Sequence, residues 1–230
     1  MIKLLTSGGL GDAAMSFAKI HAKFSMRDDI HVTHVRTRSD NLNDAISSFY
    51  SSQNIRNNVV TTVSWDWLKD HRSEYGYYLG TNWSKENHND ESSWEIEPFP
   101  PICYNKMENV NVVLNPCSGG GAEKRFSHEE VDMFMRNNPE TILVGVGDSV
   151  YENYPNSKFN KTTMEELIDI LSSSNVVVSP EGFVSYFSAM CGKKVFVKNE
   201  NVEAIKKRKH PMWDMTLIDG LDYESSIDSI

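Results

Sequence analysis

The 230-residue sequence is 39% hydrophobic and 24% charged, which is enough apolar material for one large globular domain or two smaller ones. Its formal net charge of -9 at pH 7 is shared by both halves, and this excludes a basic nucleic-acid-binding arm as the dominant feature. The three cysteines are widely spaced, and no apolar run is long enough for a signal peptide or a membrane span. We therefore expect a cytoplasmic protein with free thiols and no membrane partner.

The first half predicts alternating strands and helices. Apolar periodicity places strands at 2–5, 30–35 and 59–63 and helices at 12–24 and 41–52. An aromatic segment follows from Trp65 to Tyr78, and a polar stretch at 81–101 without a sustained period is predicted to be a linker. His31 and His34 alternate on the second strand without an acidic or metal-ligating neighbour, and we interpret them as structural.

The second half also predicts alternating strands and helices. Strands are predicted at 110–114, 141–146, 176–178 and 194–198, and helices at 128–137, 164–173 and 183–191, the first two opened by capping boxes at Ser127 and Thr163. Uninterrupted apolar strands that alternate with helices are typical of parallel sheets. The sequence therefore predicts an α/β fold with two Rossmann-like domains, 1–100 and 101–230, that face a cleft.

A glycine-rich turn joins the first strand to the first helix. It contains Gly9 and Gly11 and ends at Asp12, at the mouth of the helix. Backbone N–H groups at such a turn can bind a phosphate or a sugar, and they also keep a carboxylate ionised. Asp12 is therefore a candidate general base, with Gly9 and Gly11 as candidate substrate-binding residues.

A second glycine loop follows the first strand of the second half and reaches two cations. Loop amides and positive side chains are the groups that stabilise a diphosphate as it departs. The candidate substrate-binding residues of this loop are Ser118, Gly119, Gly120, Lys124 and Arg125.

Three segments together resemble the heptosyltransferase-like branch of the glycosyltransferases with the two-domain B-type fold. They are the turn Gly9-Leu10-Gly11-Asp12, the stretch from Asn115-Pro116 to Lys124-Arg125-Phe126, and Ser179-Pro180-Glu181-Gly182 with the helix that ends in Gly192-Lys193-Lys194. The resemblance covers most of the second half and about the first 25 residues, in a chain shorter than is usual for the family. It implies a B-type glycosyltransferase fold and a nucleotide-sugar donor.

The resemblance also implies roles for individual residues. Asp12 matches the family's aspartate that takes the proton of the acceptor hydroxyl, and Lys124 matches a lysine that binds the donor's phosphates. Glu181, followed by Gly182, matches an acid near the donor sugar or ribose. The family's histidine falls on Tyr186, which we expect to line the donor site. The threonines that often precede the family's lysine are replaced by glycines here.

The residues themselves favour a particular kind of glycosyl transfer. No Asp-x-Asp motif occurs, so the sequence indicates neither a metal ion nor another cofactor, and protein groups stabilise the leaving diphosphate. In-line attack opposite the leaving group would invert the configuration at the anomeric carbon.

The acceptor is open at this point. Small transferases of this general fold occur in bacteriophages, where some modify hydroxymethylated cytosine in DNA. The basic run at 206–210 and the aromatic residues around Trp65, with Trp83 and Trp94, are compatible with such an acceptor, since a duplex base must be flipped out and stacked. The overall acidity argues against it, and an unspecified hydroxyl acceptor remains the broader prediction.

Two other functions remain open. Gly9-x-Gly11-x-x-Ala14 also satisfies the dinucleotide-binding fingerprint, and Arg36 and Arg38 could receive a 2′-phosphate, as in an NADP-dependent oxidoreductase. Alternatively, the replacement of the family's histidine by Tyr186 is compatible with a protein that binds a nucleotide sugar without transferring it.

Overall fold

The computed structural model describes residues 1–24, 29–37, 40–64, 66–79, 110–118, 124–199, 201–210 and 212–221. The chain divides into two compact units. The first comprises Met1–Pro100 with Lys207–Met212, and the second comprises Pro101–Lys206 with Trp213–Ile230. The predicted linker at 81–101 lies outside the described residues.

The first unit contains a four-stranded parallel sheet in the order β3-β2-β1-β4. Its elements are β1 (Ile2–Ser7), α1 (Leu10–Phe24), β2 (Ile30–Arg36), α2 (Leu42–Ser52), β3 (Arg56–Thr61), α3 (Asp66–His71) and β4 (Tyr77–Leu79). The buried rings of Phe17 on α1 and Phe49 on α2 pack edge to face, with centroids 5.5 Å apart. The strand order reverses direction at β1, so a crevice is expected at its carboxyl end, where the glycine turn lies.

The second unit contains a five-stranded parallel sheet in the order β6-β5-β7-β8-β9. The elements of this part of the chain are β5 (Val112–Leu114), α4 (His128–Asn137), β6 (Ile142–Leu143), α5 (Met164–Ser173), β7 (Val176–Pro180), α6 (Phe183–Met190), β8 (Lys194–Lys198), α7 (Val202–Arg208) and β9 (Met215–Ile218). Here the strand order reverses at β5. Two parallel sheets with intervening helices confirm the predicted α/β class.

Both predicted capping boxes are present. The Ser127 hydroxyl accepts from the Glu130 N–H at 3.2 Å, and the Glu130 carboxylate accepts from the Ser127 N–H at 2.6 Å. Thr163 and Glu166 make the same reciprocal pair at 3.2 and 2.9 Å. These bonds satisfy N–H groups that a helix start leaves without partners, which explains why α4 and α5 begin where the sequence predicts.

Two predicted strands differ from the structure by three residues at one end, more than any other predicted strand. β3 begins at Arg56 and ends before Val63, which is fully exposed; because β3 is an edge strand, it tolerates the polar residues at its start. The strand predicted at 141–146 is reduced to Ile142–Leu143 because the chain turns at Gly145 and Gly147, whose φ angles are +128° and +141°. The elements α3, β4, α7 and β9 were not predicted.

Candidate functional site

The glycine turn of the first unit is built around Asp12. The Gly9 N–H donates to Asp12 Oδ2 at 2.7 Å. Gly8 has a φ of +116°, and a Cβ atom on it would lie 2.2 Å from the same carboxylate oxygen. Because Asp12 lies in the first turn of α1, the helix dipole also favours its charged form. The turn therefore fixes a carboxylate at the carboxyl end of β1, and Gly11 continues it into the helix.

His34 supports this turn from the neighbouring strand β2. Its Nε2 lies 3.1 Å from the Gly8 carbonyl oxygen, and its Nδ1 lies 3.4 Å from the Tyr50 hydroxyl. A carbonyl only accepts, so Nε2 carries the proton and Nδ1 accepts from Tyr50. Burial lowers the pKa of His34 to about 4, so the ring is neutral at pH 7.

Three hydroxyl groups, those of Tyr50, Thr6 and Ser16, extend the hydrogen-bond network of His34. The hydroxyls of Thr6 and Ser16 lie 2.5 Å apart, and both bond the Tyr50 hydroxyl, whose pKa is raised by burial. These contacts agree with the interpretation of His34 as structural, and they add that it bonds the backbone of the turn that holds Asp12. The signal in the sequence was a histidine beside Val35 in a predicted strand, and the structure buries six of the seven residues of β2.

The aromatic segment of the first unit contributes Tyr78 to the same end of β1. The Tyr78 hydroxyl lies 3.1 Å from the Ser7 hydroxyl, and the Arg72 guanidinium lies 5.2 Å from the centre of the Tyr78 ring. Trp65, Trp83 and Trp94, which the sequence placed in the same aromatic group, lie outside the described residues.

In the second unit, the loop after β5 is closed at its base by two backbone hydrogen bonds. The Ser118 N–H donates to the Lys124 carbonyl at 3.1 Å, and the Phe126 N–H donates to the Pro116 carbonyl at 2.9 Å. Gly119 and Gly120 lie outside the described residues. The loop base thus places Lys124 and Arg125 at the carboxyl end of β5.

The Glu181 carboxylate forms a cluster with three other side chains, those of Lys124, Tyr186 and Asn199. Its Oε1 accepts from the Tyr186 hydroxyl at 2.5 Å, and its Oε2 accepts from Asn199 Nδ2 at 2.6 Å and Lys124 Nζ at 2.9 Å. Glu181 and Tyr186 are each 3% exposed. Lys124, Glu181 and Tyr186 were predicted separately, whereas Asn199, which follows β8, was missed and carried no signal in the sequence.

Gly182 brings the turn after β7 against the loop after β5. A Cβ atom on Gly182 would lie 3.4 Å from Ser118 Cβ. The backbone N–H of Gly182 donates to the Ser185 hydroxyl at 3.0 Å, at the start of α6. The two loops that carry the predicted donor-binding residues are therefore in direct contact within the second unit.

A cavity of about 410 Å³ lies beside these loops, at the carboxyl ends of β5 and β6. His128 Nε2 lies 3.5 Å from Asp148 Oδ2, and the Tyr151 ring packs edge to face on His128 at 5.1 Å. Burial raises the pKa of the Tyr151 hydroxyl to about 12, and burial also raises the pKa of the Cys117 thiol. The cavity is lined by Cys117, Ser118, Arg125, Phe126, Ser127, His128, Val146, Gly147, Asp148 and Tyr151.

Eight of these ten lining residues were missed as site residues, among them the polar residues His128, Asp148 and Tyr151. The available signal was the turn Gly145-Val146-Gly147-Asp148, which directly follows a buried strand. The cavity volume of about 410 Å³ is in the range of small-molecule binding sites. The residues that line it combine aromatic rings with an arginine, a carboxylate and hydroxyls.

Two other predicted features have a different environment from the one expected. The Arg36 guanidinium is bonded to both carboxylate oxygens of Asp40 and, at 2.7 Å, to Asn43 Oδ1, so it is already paired and does not offer a 2′-phosphate site. His210, predicted within the basic run, is completely buried, and its Nδ1 accepts from the Met212 N–H at 3.2 Å. Arg38 and the side chains of Lys206 and Lys207 lie outside the described part of the chain.

Within the described residues, no group of three His, Cys, Asp or Glu side chains could hold a metal ion. No helix in that part of the chain is long and apolar enough to cross a membrane.

No protein-family model matches the sequence, and no curated protein matches it. The structure is similar to a glycosyl transferase of family 9 from Veillonella parvula, with 10% identity over 94% of this chain and 86% of that chain and a TM-score of 0.58. It is also similar to the E. coli ADP-heptose LPS heptosyltransferase II, with 10% identity, coverage of 95% and 90%, and a TM-score of 0.60. A third similar structure is E. coli heptosyltransferase WaaC with ADP, with 12% identity, coverage of 85% and 86%, and a TM-score of 0.52.

At these identities the similarity is one of fold. It confirms the resemblance to heptosyltransferase-like structures and assigns the chain the B-type glycosyltransferase fold.

Proposed function

We propose that this protein is a glycosyltransferase that moves a sugar from a nucleoside-diphosphate sugar to a hydroxyl group. The observation that carries the proposal is the cavity of the second unit, which lies where the strand order reverses and is lined by Arg125, the residue after Lys124. Crevices at such reversals are where open parallel sheets bind ligands, and two cations there suit a diphosphate. The shared fold with glycosyltransferases is the second support.

In this proposal the second unit binds the donor. The nucleoside occupies the cavity between Phe126 and Tyr151, and the diphosphate lies against the side chains of Lys124 and Arg125. Negative charge grows on the diphosphate as the bond to the anomeric carbon breaks, and these groups stabilise it. No step in this scheme calls on a metal ion.

The first unit supplies the base. The acceptor hydroxyl attacks the anomeric carbon while the Asp12 carboxylate takes its proton, the new glycosidic bond forms, and the nucleoside diphosphate leaves with the electron pair of the broken bond. Attack opposite the leaving group inverts the anomeric configuration. Gly9 and Gly11 leave the backbone beside Asp12 open for close approach of the substrates.

The donors and acceptors to test first follow from the similar structures and from the sequence. One of the similar E. coli proteins is named as an ADP-heptose heptosyltransferase and the structure of another contains ADP, so ADP sugars head the donor series. Hydroxymethylated cytosine in phage DNA is the first acceptor, for which Tyr78 at the carboxyl end of β1 offers an aromatic face. The burial of His210 removes one side chain of the basic run from any surface that could contact a polyanion.

Two alternative functions remain. In the first, the protein binds a nucleotide sugar without transferring the sugar, and in the second it is an NADP-dependent oxidoreductase. The first is motivated by Tyr186 in place of the family's histidine. The second loses support from the pairing of Arg36 with Asp40.

A thermal-shift screen tests the proposal directly. We expect nucleoside diphosphates or nucleotide sugars to stabilise the protein, by about 2.7 kcal/mol at a ligand concentration of a hundred times Kd, and NADP to leave the Tm unchanged. Arg125→Gln, which removes the charge and keeps the unbranched stem as far as Cδ, is expected to weaken this stabilisation. Stabilisation by NADP alone would contradict the proposed transferase.

A further inference from the structure

The Glu181 carboxylate is a buried acid that the proposed transfer step does not itself use. Its side chain is 3% exposed, whereas that of its partner Lys124 is 26% exposed. Burial of an ionised carboxylate is unfavourable unless an opposite charge and hydrogen bonds compensate it. Glu181 has both, because one ammonium group and two neutral donors contact its two oxygens.

The neutral donors fix the carboxylate from the inside of the second unit. The Tyr186 hydroxyl bonds Oε1, and its ring packs at a tilt against Trp213 with centroids 6.2 Å apart. Asn199 has only one possible orientation, because its Oδ1 accepts from the Asn201 N–H at 2.7 Å and its Nδ2 therefore faces Glu181. The Glu181 N–H itself donates to the carbonyl of Lys198 at 3.1 Å.

Lys124 is the outer partner of this cluster. Its carbonyl is held by the Ser118 N–H, and its ammonium donates to Glu181 Oε2 at 2.9 Å. That bond uses one of the three N–H groups of an ammonium, which leaves two for the oxygens of a ligand. A phosphate would be repelled by the carboxylate and attracted by the more exposed ammonium, so it meets Lys124 and not Glu181.

We propose that Glu181 is a positioning residue, which holds the ammonium of Lys124 in place for a diphosphate and is itself held by Tyr186 and Asn199. This role differs from the direct donor contact that the family resemblance implies for Glu181. The inference rests on the proposed function, because it takes the diphosphate to be the ligand of Lys124.

A double-mutant cycle with inorganic pyrophosphate as the probe tests this role. Calorimetry compares the wild type, Lys124→Met, Glu181→Gln and the double variant. We expect each single variant to bind pyrophosphate about tenfold more weakly or worse, and the double variant to bind no more weakly than Lys124→Met. Losses that multiply in the double variant, or an unchanged affinity of Glu181→Gln, would overturn the positioning role.

Tyr186→Phe provides a milder variant that keeps the ring in place. It is expected to weaken pyrophosphate binding about threefold, and this loss is expected to vanish in the Lys124→Met background. Tyr154→Phe is the matched control, because it removes a hydroxyl that donates to Asp132 on α4. It is expected to leave the affinity unchanged, and a loss in both backgrounds for Tyr186→Phe would contradict the inference.

Urea unfolding of the wild type, Lys124→Met, Glu181→Gln and the double variant, all without ligand, distinguishes a failure of the Lys124–Glu181 pairing from a failure of the proposed function. We expect the effects of Lys124→Met and Glu181→Gln on the free energy of unfolding to be non-additive, as for partners in contact. Additive effects would contradict the pairing itself. Non-additive effects, with no affinity of the wild type for pyrophosphate or any nucleoside diphosphate, would contradict the proposed function and the ligand assigned to Lys124 while supporting the pairing.

Discussion

Gly8 has no room for a side chain because Asp12 fills the place where one would lie. The virtual Cβ atom at 2.2 Å from Asp12 Oδ2 and the φ of +116° are two separate reasons for glycine at this position. Gly9 differs, because a Cβ atom there would lie 3.7 Å from the same oxygen, which is an ordinary contact. Neighbouring glycines of one turn thus have different physical roles.

Substitution of Gly8 by alanine is expected to displace Asp12 and to lower the free energy of unfolding by about 2 kcal/mol or more, since both the backbone conformation and the carboxylate position become strained. Gly9→Ala keeps the N–H that bonds Asp12, and we expect it to change that free energy by less than about 0.5 kcal/mol. Urea unfolding measures both. Equal effects of the two substitutions would show that the turn does not have this geometry.

His34 gives the same turn a pH dependence. Its folded pKa of about 4 lies below its ordinary value of 6.5, so between these values the unfolded chain binds more protons than the folded one. Stability from this residue is complete above pH 6.5 and is lost as the pH falls toward 4. Burial is the main cause, and the Arg36 charge adds to it.

We expect the wild type to lose about 2 kcal/mol more of its free energy of unfolding between pH 7 and pH 5 than His34→Gln does, because glutamine offers an amide donor but does not titrate. Urea unfolding at the two pH values provides the measurement. The same loss in both proteins would mean that His34 is not buried as a neutral ring.

The distance along the chain decides which contacts of the site the sequence could predict. Asp12 contacts the backbone of Gly9 three residues away, and the turn motif alone indicates that contact. Lys124 and Glu181 are 57 residues apart, and they meet only because β7 pairs with β5 in the sheet. Asn199 joins them because β8 is next to β7, an order that periodicity does not encode.

At the scale of elements, local chemistry predicted the capped helices well. α4 and α5 begin directly after Ser127 and Thr163, and β8 covers Lys194–Lys198, the range expected from its apolar core. The short strands were not predictable in the same way. β4 and β9 have three and four residues, lie at sheet edges and are defined by pairing with β1 and β8.

The two capping boxes offer a matched pair of substitutions. Ser127→Ala and Thr163→Ala are each expected to lower the free energy of unfolding by about 1 kcal/mol, because each leaves a helix N–H without its partner. Ser127 also lines the cavity, whereas Thr163 is not among its lining residues. We therefore expect only Ser127→Ala to weaken nucleoside-diphosphate binding in calorimetry, and an equal loss of affinity for both would contradict the position of the ligand.

At the scale of the whole molecule, the candidate residues divide between two units of the same architecture. The first unit holds Asp12 and its supporting network, and the second holds the cavity with Lys124, Arg125 and the Glu181 cluster. Asp12 follows β1, and Lys124 and Arg125 follow β5, which are the strands at which the two sheets reverse order. We propose that the first unit serves the acceptor and the second the donor, so that transfer depends on residues from both.

The turnover of a nucleoside-diphosphate sugar in the presence of candidate acceptors, hydroxymethylated DNA first, tests this account most directly. Product is detected by its mass shift, for the wild type, for Asp12→Asn and for Asp44→Asn, which changes an exposed acid in the first turn of α2. We expect product from the wild type and from Asp44→Asn. For Asp12→Asn we expect a rate that is lower by a factor of about a hundred or more, because asparagine keeps the hydrogen bond to the Gly9 N–H but cannot take a proton. Equal rates for the wild type and Asp12→Asn, or no product from any of the three proteins, would contradict the account.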